Sequence, residues 1–64
     1  MIRVNGAVQP WHGGTVADLV AGLGLSSRGI AVALDGDVVA RSLWATTEVI
    51  EGAVVEVVTA AAGG

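Results

Sequence analysis

The stretch from Val54 to Gly64 constrains the fold more than any other part of the sequence. Its first six residues, Val-Val-Glu-Val-Val-Thr, carry valine on both alternating faces, which favours a strand in the middle of a sheet over one at its edge. The five residues that follow are all small. We therefore expect residues 1–59 to form a domain whose last strand spans 54–59, followed by a flexible C-terminal tail, residues 60–64, ending in Gly-Gly.

The size of the chain permits one small domain. A protein of 64 residues buries only about 60% of its unfolded surface, so its core must be continuous. The absence of cysteine excludes a disulfide framework, a thiolate metal site and a thiol nucleophile, and it fits a reducing cytosol. The longest uncharged run, between Arg3 and Asp18, is far shorter than the roughly 20 apolar residues that span a bilayer. With no signal-peptide pattern either, we expect a soluble, cytoplasmic protein without membrane contacts.

The charge balance argues against a nucleic-acid partner. Six acidic side chains oppose three arginines, there is no lysine, and the formal net charge is −3. The basic footprint that dominates nucleic-acid affinity is therefore missing. We expect protein partners with basic surfaces, for which complementary charge mainly raises the rate of encounter.

One helix is predicted after the glycine pair at residues 13–14. Thr15 is a good N-cap, and Asp18 three residues later completes an acidic variant of the capping box. An apolar stripe follows at helical spacing, and Gly24 is placed to end the helix in the left-handed conformation. The stripe consists of Val16, Leu19, Val20 and Leu23.

Two hairpins are predicted from their turns. Asn5-Gly6 and Asp35-Gly36 both suit a two-residue type I′ turn, in which both residues need a positive φ. The first would join strands at 1–4 and 7–11, and Pro10 places the second of these at a sheet edge. The other would join 30–34 to 38–40. We expect Leu43 and Trp44 to plug the open end of the core from an irregular or 3₁₀ turn.

These elements predict an α+β roll. The simplest arrangement sets the last strand beside the first, in parallel, in a mixed four- to five-stranded sheet packed on one helix, with a right-handed crossover. Val55 and Val57 then face the helix, while Val54, Glu56 and Val58 face away from it.

The polar residues upstream of the tail form no catalytic or metal-binding set. His12 is the only histidine, so we interpret it as an exposed loop residue. The glycine pairs fit neither a dinucleotide-binding nor a P-loop pattern, and the turn explains Asp35 and Asp37. The serines and threonines lack a partner base. We expect no catalytic residue, no metal site and no bound cofactor.

The carboxylate of Gly64 is then the best candidate for chemistry. With 10 glycines in 64 residues, two adjacent terminal glycines arise by chance about 2% of the time. Gly63 and Gly64 have no Cβ to obstruct threading into a narrow channel of a partner enzyme. Ala61 and Ala62 are small enough to follow them in. A nucleotide could activate such an unhindered carboxylate if the tail is extended.

The whole chain resembles the ubiquitin-like β-grasp family and, within it, the ThiS family of sulfur carriers in bacterial thiamine biosynthesis. The resemblance rests on four stretches: Thr15-Val16-x-x-Leu19, residues 31–36, Val38-Val39-Ala40-Arg41-Ser42-x-Trp44, and Gly52-x-x-Val55-Glu56-Val57-Val58-Thr59 leading to Gly63-Gly64. The family usually has Asn, Pro and Asp where this chain has Asp35, Ala40 and Ala53. These departures lie in or beside turns and bear on local stability rather than on the terminal chemistry.

The resemblance implies a mechanism and a set of partners. An E1-like adenylyltransferase would use ATP and Mg²⁺ to convert the Gly64 carboxylate into an acyl-adenylate. Sulfur supplied from cysteine through a desulfurase would displace AMP and leave a thiocarboxylate, which thiazole synthase would accept as its sulfur source. The chain would thus be a carrier and cosubstrate, without enzymatic activity of its own.

A docking surface is also expected on the uncovered face of the sheet. Apolar residues there are either incidental or a place where partners bind. We hypothesise that Val58, with Ala31 or Ala33 on the neighbouring strand, contacts the partner enzymes.

Other interpretations stay open at this point. The chain could carry sulfur for molybdopterin, cysteine or tRNA thiolation. It could also be a non-covalent β-grasp interaction module whose terminal glycines are incidental. A tag attached to other proteins fits less well, because no lysine is present on which polymers could be built.

Overall fold

A computed structural model describes residues 1–26 and 28–59, which form a mixed sheet with one α-helix on one of its faces. The elements are β1 (Ile2–Val4), β2 (Ala7–Gln9), α1 (Val16–Gly22), β3 (Ile30–Leu34), β4 (Asp37–Val39), a 3₁₀ helix (Arg41–Leu43) and β5 (Val54–Thr59). The strand order is β2-β1-β5-β3-β4. β5 pairs in parallel with β1 and antiparallel with β3. The predicted β-grasp roll is confirmed, with five strands.

Both hairpin turns have the predicted backbone. Asn5 and Gly6 have φ angles of 49° and 85°, and Asp35 and Gly36 have angles of 49° and 91°. Two strand limits differ from the prediction. β2 stops at Gln9 and not at residue 11, because Pro10 has no N–H with which to continue the ladder. β4 begins and ends one residue earlier than predicted, since the pairing of Leu34 with Asp37 closes the turn at once.

The helix begins at the predicted capping box. The Thr15 hydroxyl accepts a hydrogen bond from the Asp18 amide at 3.2 Å, and the Asp18 carboxylate accepts one from the Thr15 amide at 2.9 Å. After the last turn, Gly24 takes a φ of 73°. Three residues of the predicted stripe are fully buried and Leu23 packs against the core. None of the described helical segments has the length and hydropathy of a membrane span.

The core lies between α1 and the sheet and is almost entirely aliphatic. Its buried members are Ile2, Val4, Val16, Leu19, Val20, Val32, Trp44, Val49, Ala53, Val55 and Val57. Trp44 closes the core as predicted, and its indole N–H donates to the Val39 carbonyl at 3.0 Å. The same prediction is wrong for Leu43, which is 53% exposed. Successive side chains of a 3₁₀ turn point about a third of a turn apart, so Leu43 and Trp44 cannot both face the core.

Candidate functional site

β5 is the strand that leads to the predicted reactive terminus, and it lies in the centre of the sheet. Its Val55 and Val57 side chains are buried against the helix side, whereas Val54, Glu56 and Val58 are exposed on the opposite face. The predicted division of the strand into two faces is confirmed. The last described residue of the strand, Thr59, pairs with Ile30 at the start of β3. The predicted tail, residues 60–64, lies outside the described residues, and so do the predicted site residues within it, Ala61, Ala62, Gly63 and Gly64.

Asn5 binds β5 near the last described residues of that strand. Its backbone N–H donates to the Val55 carbonyl at 2.9 Å. Its side-chain carboxamide then pairs with both backbone groups of Val57. The amide nitrogen donates to the Val57 carbonyl at 3.0 Å, and the amide oxygen accepts from the Val57 N–H at 2.8 Å. The sequence predicted only the turn at Asn5, because a contact between residues 52 positions apart leaves no local signal.

Asp35 makes the corresponding contact at the other end of β5. Its backbone N–H donates to the Val54 carbonyl at 2.8 Å, and its carboxylate accepts from the Val54 N–H at 2.8 Å. The residue therefore does more than shape its turn, although no acid or base chemistry follows from this position. An asparagine at this position would present the same oxygen to Val54.

The structure brings the three predicted docking residues together. Ala31 lies directly opposite Val58, and Ala33 lies opposite Glu56. They line a shallow hollow of about 210 Å³ on the uncovered face of the sheet, with Glu56 as its one charged lining residue. Val38, which the sequence did not single out, lies across from Ala33 on β4 and is 77% exposed. Small alanines between protruding valines leave a recess that an apolar side chain of a partner could fill.

A second groove, of about 400 Å³, opens on the other side of the end of β5. The residues that line it come from the end of α1, the first hairpin and the ends of β3 and β5: Val4, Asn5, Gln9, Leu23, Leu25, Ile30, Val57, Val58 and Thr59. Val58 lines both recesses. The last described residues of β5 are therefore flanked by accessible apolar surface on both sides.

The other polar residues considered from the sequence remain apart. His12 is exposed in the segment between β2 and α1, as predicted. Asp37 is exposed at the start of β4. Among residues 1–26 and 28–59, no three His, Asp or Glu side chains are arranged to hold a metal ion. The features that the described residues gather around β5 are apolar recesses and the hydrogen bonds of Asn5 and Asp35.

Comparison with known proteins agrees with this geometry. A profile of the ThiS family matches residues 2–64. The chain belongs to the ThiS family. A crystal structure of the thiamine biosynthesis protein ThiS from Geobacter metallireducens is 28% identical, covers 98% of this chain and 97% of its own, and superposes with a TM-score of 0.81.

An NMR solution structure of a thiamine biosynthesis protein from the same organism is also similar. It is 28% identical, covers 98% of this chain and 86% of its own, and has a TM-score of 0.77. A comparison with curated protein sequences gives no significant match. The family match includes the sequence of the tail, so it extends beyond the β-grasp domain itself.

Proposed function

We propose that this ThiS-family chain is a cytoplasmic sulfur carrier for thiamine biosynthesis and that its reactive group is the carboxylate of Gly64. The observation that carries the proposal is the family match over residues 2–64, which joins a β-grasp domain to a Gly-Gly terminus. The similar Geobacter metallireducens structures are of thiamine biosynthesis proteins and support the same pathway. In this role the chain is a carrier, and the catalytic groups belong to its partner enzymes.

The first proposed step is activation of the carboxylate. A carboxylate oxygen of Gly64 attacks the α-phosphorus of ATP, the bond between the α- and β-phosphates breaks, and pyrophosphate leaves. An E1-like adenylyltransferase with Mg²⁺ supplies the charge stabilisation for this transfer. The missing Cβ atoms of Gly63 and Gly64 let the tail reach that site through a narrow channel.

Sulfur replaces oxygen in the second step. A sulfur nucleophile attacks the acyl carbon, a C–S bond forms, the C–O bond to AMP breaks, and a thiocarboxylate remains. When the sulfur arrives as a persulfide from a desulfurase-derived donor, one thiol cleaves the S–S bond and is oxidised to a disulfide. Thiazole synthase then takes the sulfur from the thiocarboxylate, and the Gly64 carboxylate is restored on hydrolysis.

Intact mass spectrometry tests the proposal. Incubation with ATP, Mg²⁺, the cognate adenylyltransferase and a sulfide source should raise the mass of the chain by one oxygen-to-sulfur exchange. Deletion of Gly64 should abolish that change while leaving the thermal unfolding midpoint unaltered. No mass change with any activating enzyme would favour a non-covalent interaction module. A thiocarboxylate that thiazole synthase does not consume would favour sulfur delivery to molybdopterin, cysteine or tRNA thiolation.

A further inference from the structure

We propose that Asn5 is a positioning residue: it fixes the position and direction of the C-terminal end of β5, from which the tail continues. The proposal rests on the proposed function in one respect, namely that the Gly64 carboxylate must be delivered to a partner's active site. It adds a residue 52 positions from Val57 in sequence, in the first hairpin, to the determinants of that delivery.

The geometry follows from where β1 ends. The strand stops at Val4, and the chain turns away from β5 at Asn5 and Gly6. Without a further contact, β5 would lose its β1-side neighbour beyond Val55, the last residue in the parallel register. The carboxamide of Asn5 continues the ladder by one more step, because it offers one donor and one acceptor to Val57 as a strand would.

These bonds are placed to control the end of the strand. Within residues 1–26 and 28–59, they are the hydrogen bonds from the β1 side that lie farthest along β5. On the opposite side, β3 continues to pair as far as Thr59. Loss of the carboxamide would leave the backbone of residues 57–59 hydrogen-bonded from the β3 side alone, so this end of the strand could swing about its remaining ladder.

A swing of this end of the strand displaces the origin of the tail. The carboxylate must approach the α-phosphorus within the short range of a near-attack geometry, and a misplacement of about 1 Å can lower a rate roughly 100-fold. Residues 60–64 connect Thr59 to the reacting carboxylate, so the end of β5 sets the point from which the tail must reach the α-phosphorus. Asn5 limits the movement of that origin through its two hydrogen bonds to Val57.

Asp35 provides a matched comparison within the same chain. Both residues open an Xaa-Gly turn with a φ of 49°, and both accept a 2.8 Å hydrogen bond from a backbone N–H of β5. They differ in position, because Asp35 holds Val54 at the start of the strand and Asn5 holds Val57 near its end. Substitution by glycine removes each side chain while keeping the positive φ without strain.

Asn5→Gly and Asp35→Gly should be compared in the full-length protein by amide hydrogen exchange and by adenylation kinetics. In Asn5→Gly we expect the Val57 amide to exchange at least about tenfold faster relative to the Val32 amide, which controls for global opening. We expect kcat/KM for adenylation to fall about tenfold or more. In Asp35→Gly, the exchange rate of the Val57 amide relative to the Val32 amide and the value of kcat/KM should both stay within about twofold of the wild type, even at an equal loss of thermal stability.

Two results would overturn the inference: unchanged exchange at Val57 in Asn5→Gly, or an equal fall of kcat/KM in both variants. The second result would mean that Asn5 acts only through overall stability. A wild-type chain that no adenylyltransferase modifies would refute the proposed function instead. In that case the exchange of Val57 in the two variants still decides whether Asn5 fixes the end of the strand.

Discussion

Asp18 shows how one side chain can serve a helix start in several ways. Its carboxylate accepts hydrogen bonds from the Thr15 amide at 2.9 Å and from the Thr15 hydroxyl at 3.0 Å. Gly14 has a φ of 137°, and a Cβ built on it would lie 2.9 Å from the Asp18 carboxylate. The sequence predicted the capping box from Thr15 and Asp18, whereas the box also needs the space that Gly14 leaves.

The first prediction concerns the protonation of Asp18. The hydrogen bonds from the Thr15 amide, and then from its hydroxyl, lower the pKa of the carboxyl from its ordinary value of 3.8. A lowered folded-state pKa stabilises the fold above the unfolded pKa, and this contribution is lost as pH falls through the folded value. Asp18→Asn should therefore unfold at a lower temperature than the wild type at pH 7, with the difference shrinking below about pH 4.

Thermal unfolding followed by circular dichroism from pH 7 to pH 2 measures this difference. Asparagine keeps an acceptor oxygen of similar shape, so the comparison isolates the charge from the capping geometry. Asp37→Asn, at an exposed strand position, is the control for a general effect of removing one acid. A gap between wild type and Asp18→Asn that stays constant down to pH 2 would contradict the assignment.

At the scale of elements, local signals predicted most of the fold. The capping box with its apolar stripe marked α1, the Asn-Gly and Asp-Gly pairs marked the hairpins, and the valines marked β5 as central. Each signal lies within about one turn or one strand of the element that it identifies, so sequence spacing is enough to find it.

The features that the sequence did not reveal depend on tertiary contacts. Val49 and Ala53 are buried at 2% and 3% exposure, although they lie in an irregular segment without periodicity. Trp11 is tied to that segment, because its indole N–H donates to the Val49 carbonyl at 2.7 Å. The Asn5–Val57 pair likewise joins the two ends of the described chain. Such contacts become visible only when the sheet order is known.

The second prediction separates the two faces of β5. Val55 is 1% exposed beneath α1, whereas its neighbour Val54 is 46% exposed on the opposite face. Val55→Ala removes two buried methyl groups and leaves a cavity, so we expect it to lower the free energy of unfolding by about 2 kcal/mol. Val54→Ala should change it by no more than about 0.5 kcal/mol. Urea unfolding at pH 7 measures both, and equal losses would refute the assignment of faces.

The whole molecule is asymmetric in the way its sheet is covered. One face packs against α1 and the segment that contains Trp44, and the other carries apolar side chains on four of its five strands. Of these, Val8, Val38, Val54 and Val58 are exposed, and Ala31 and Ala33 are half-buried. A small domain with a marginal core leaves such a surface free at a cost in solubility, which is why we propose that partners use it. The recess around Val58 lies on this face and next to the end of β5.

The last prediction tests that surface with two valines of equal exposure. Val58 and Val8 are each 57% exposed, but Val58 lines the recess beside the end of β5 and Val8 lies on the edge strand β2. An arginine at position 58 would fill the recess and place a charge against the apolar side chain expected from the partner. We expect Val58→Arg to lower kcat/KM for adenylation about tenfold or more, the loss typical of a central interface residue.

Val8→Arg adds the same bulk and charge elsewhere on the sheet, so it should leave kcat/KM for adenylation within about twofold of the wild-type value. Because both side chains are on the surface, each substitution should change the free energy of unfolding by less than about 1 kcal/mol. In a domain of this size, that shifts the thermal unfolding midpoint by only a few degrees. Equal kinetics for Val58→Arg and the wild type would exclude the recess as a docking site. Equal losses in the two variants would show instead that the added charge acts over the whole face, without a defined point of contact at Val58.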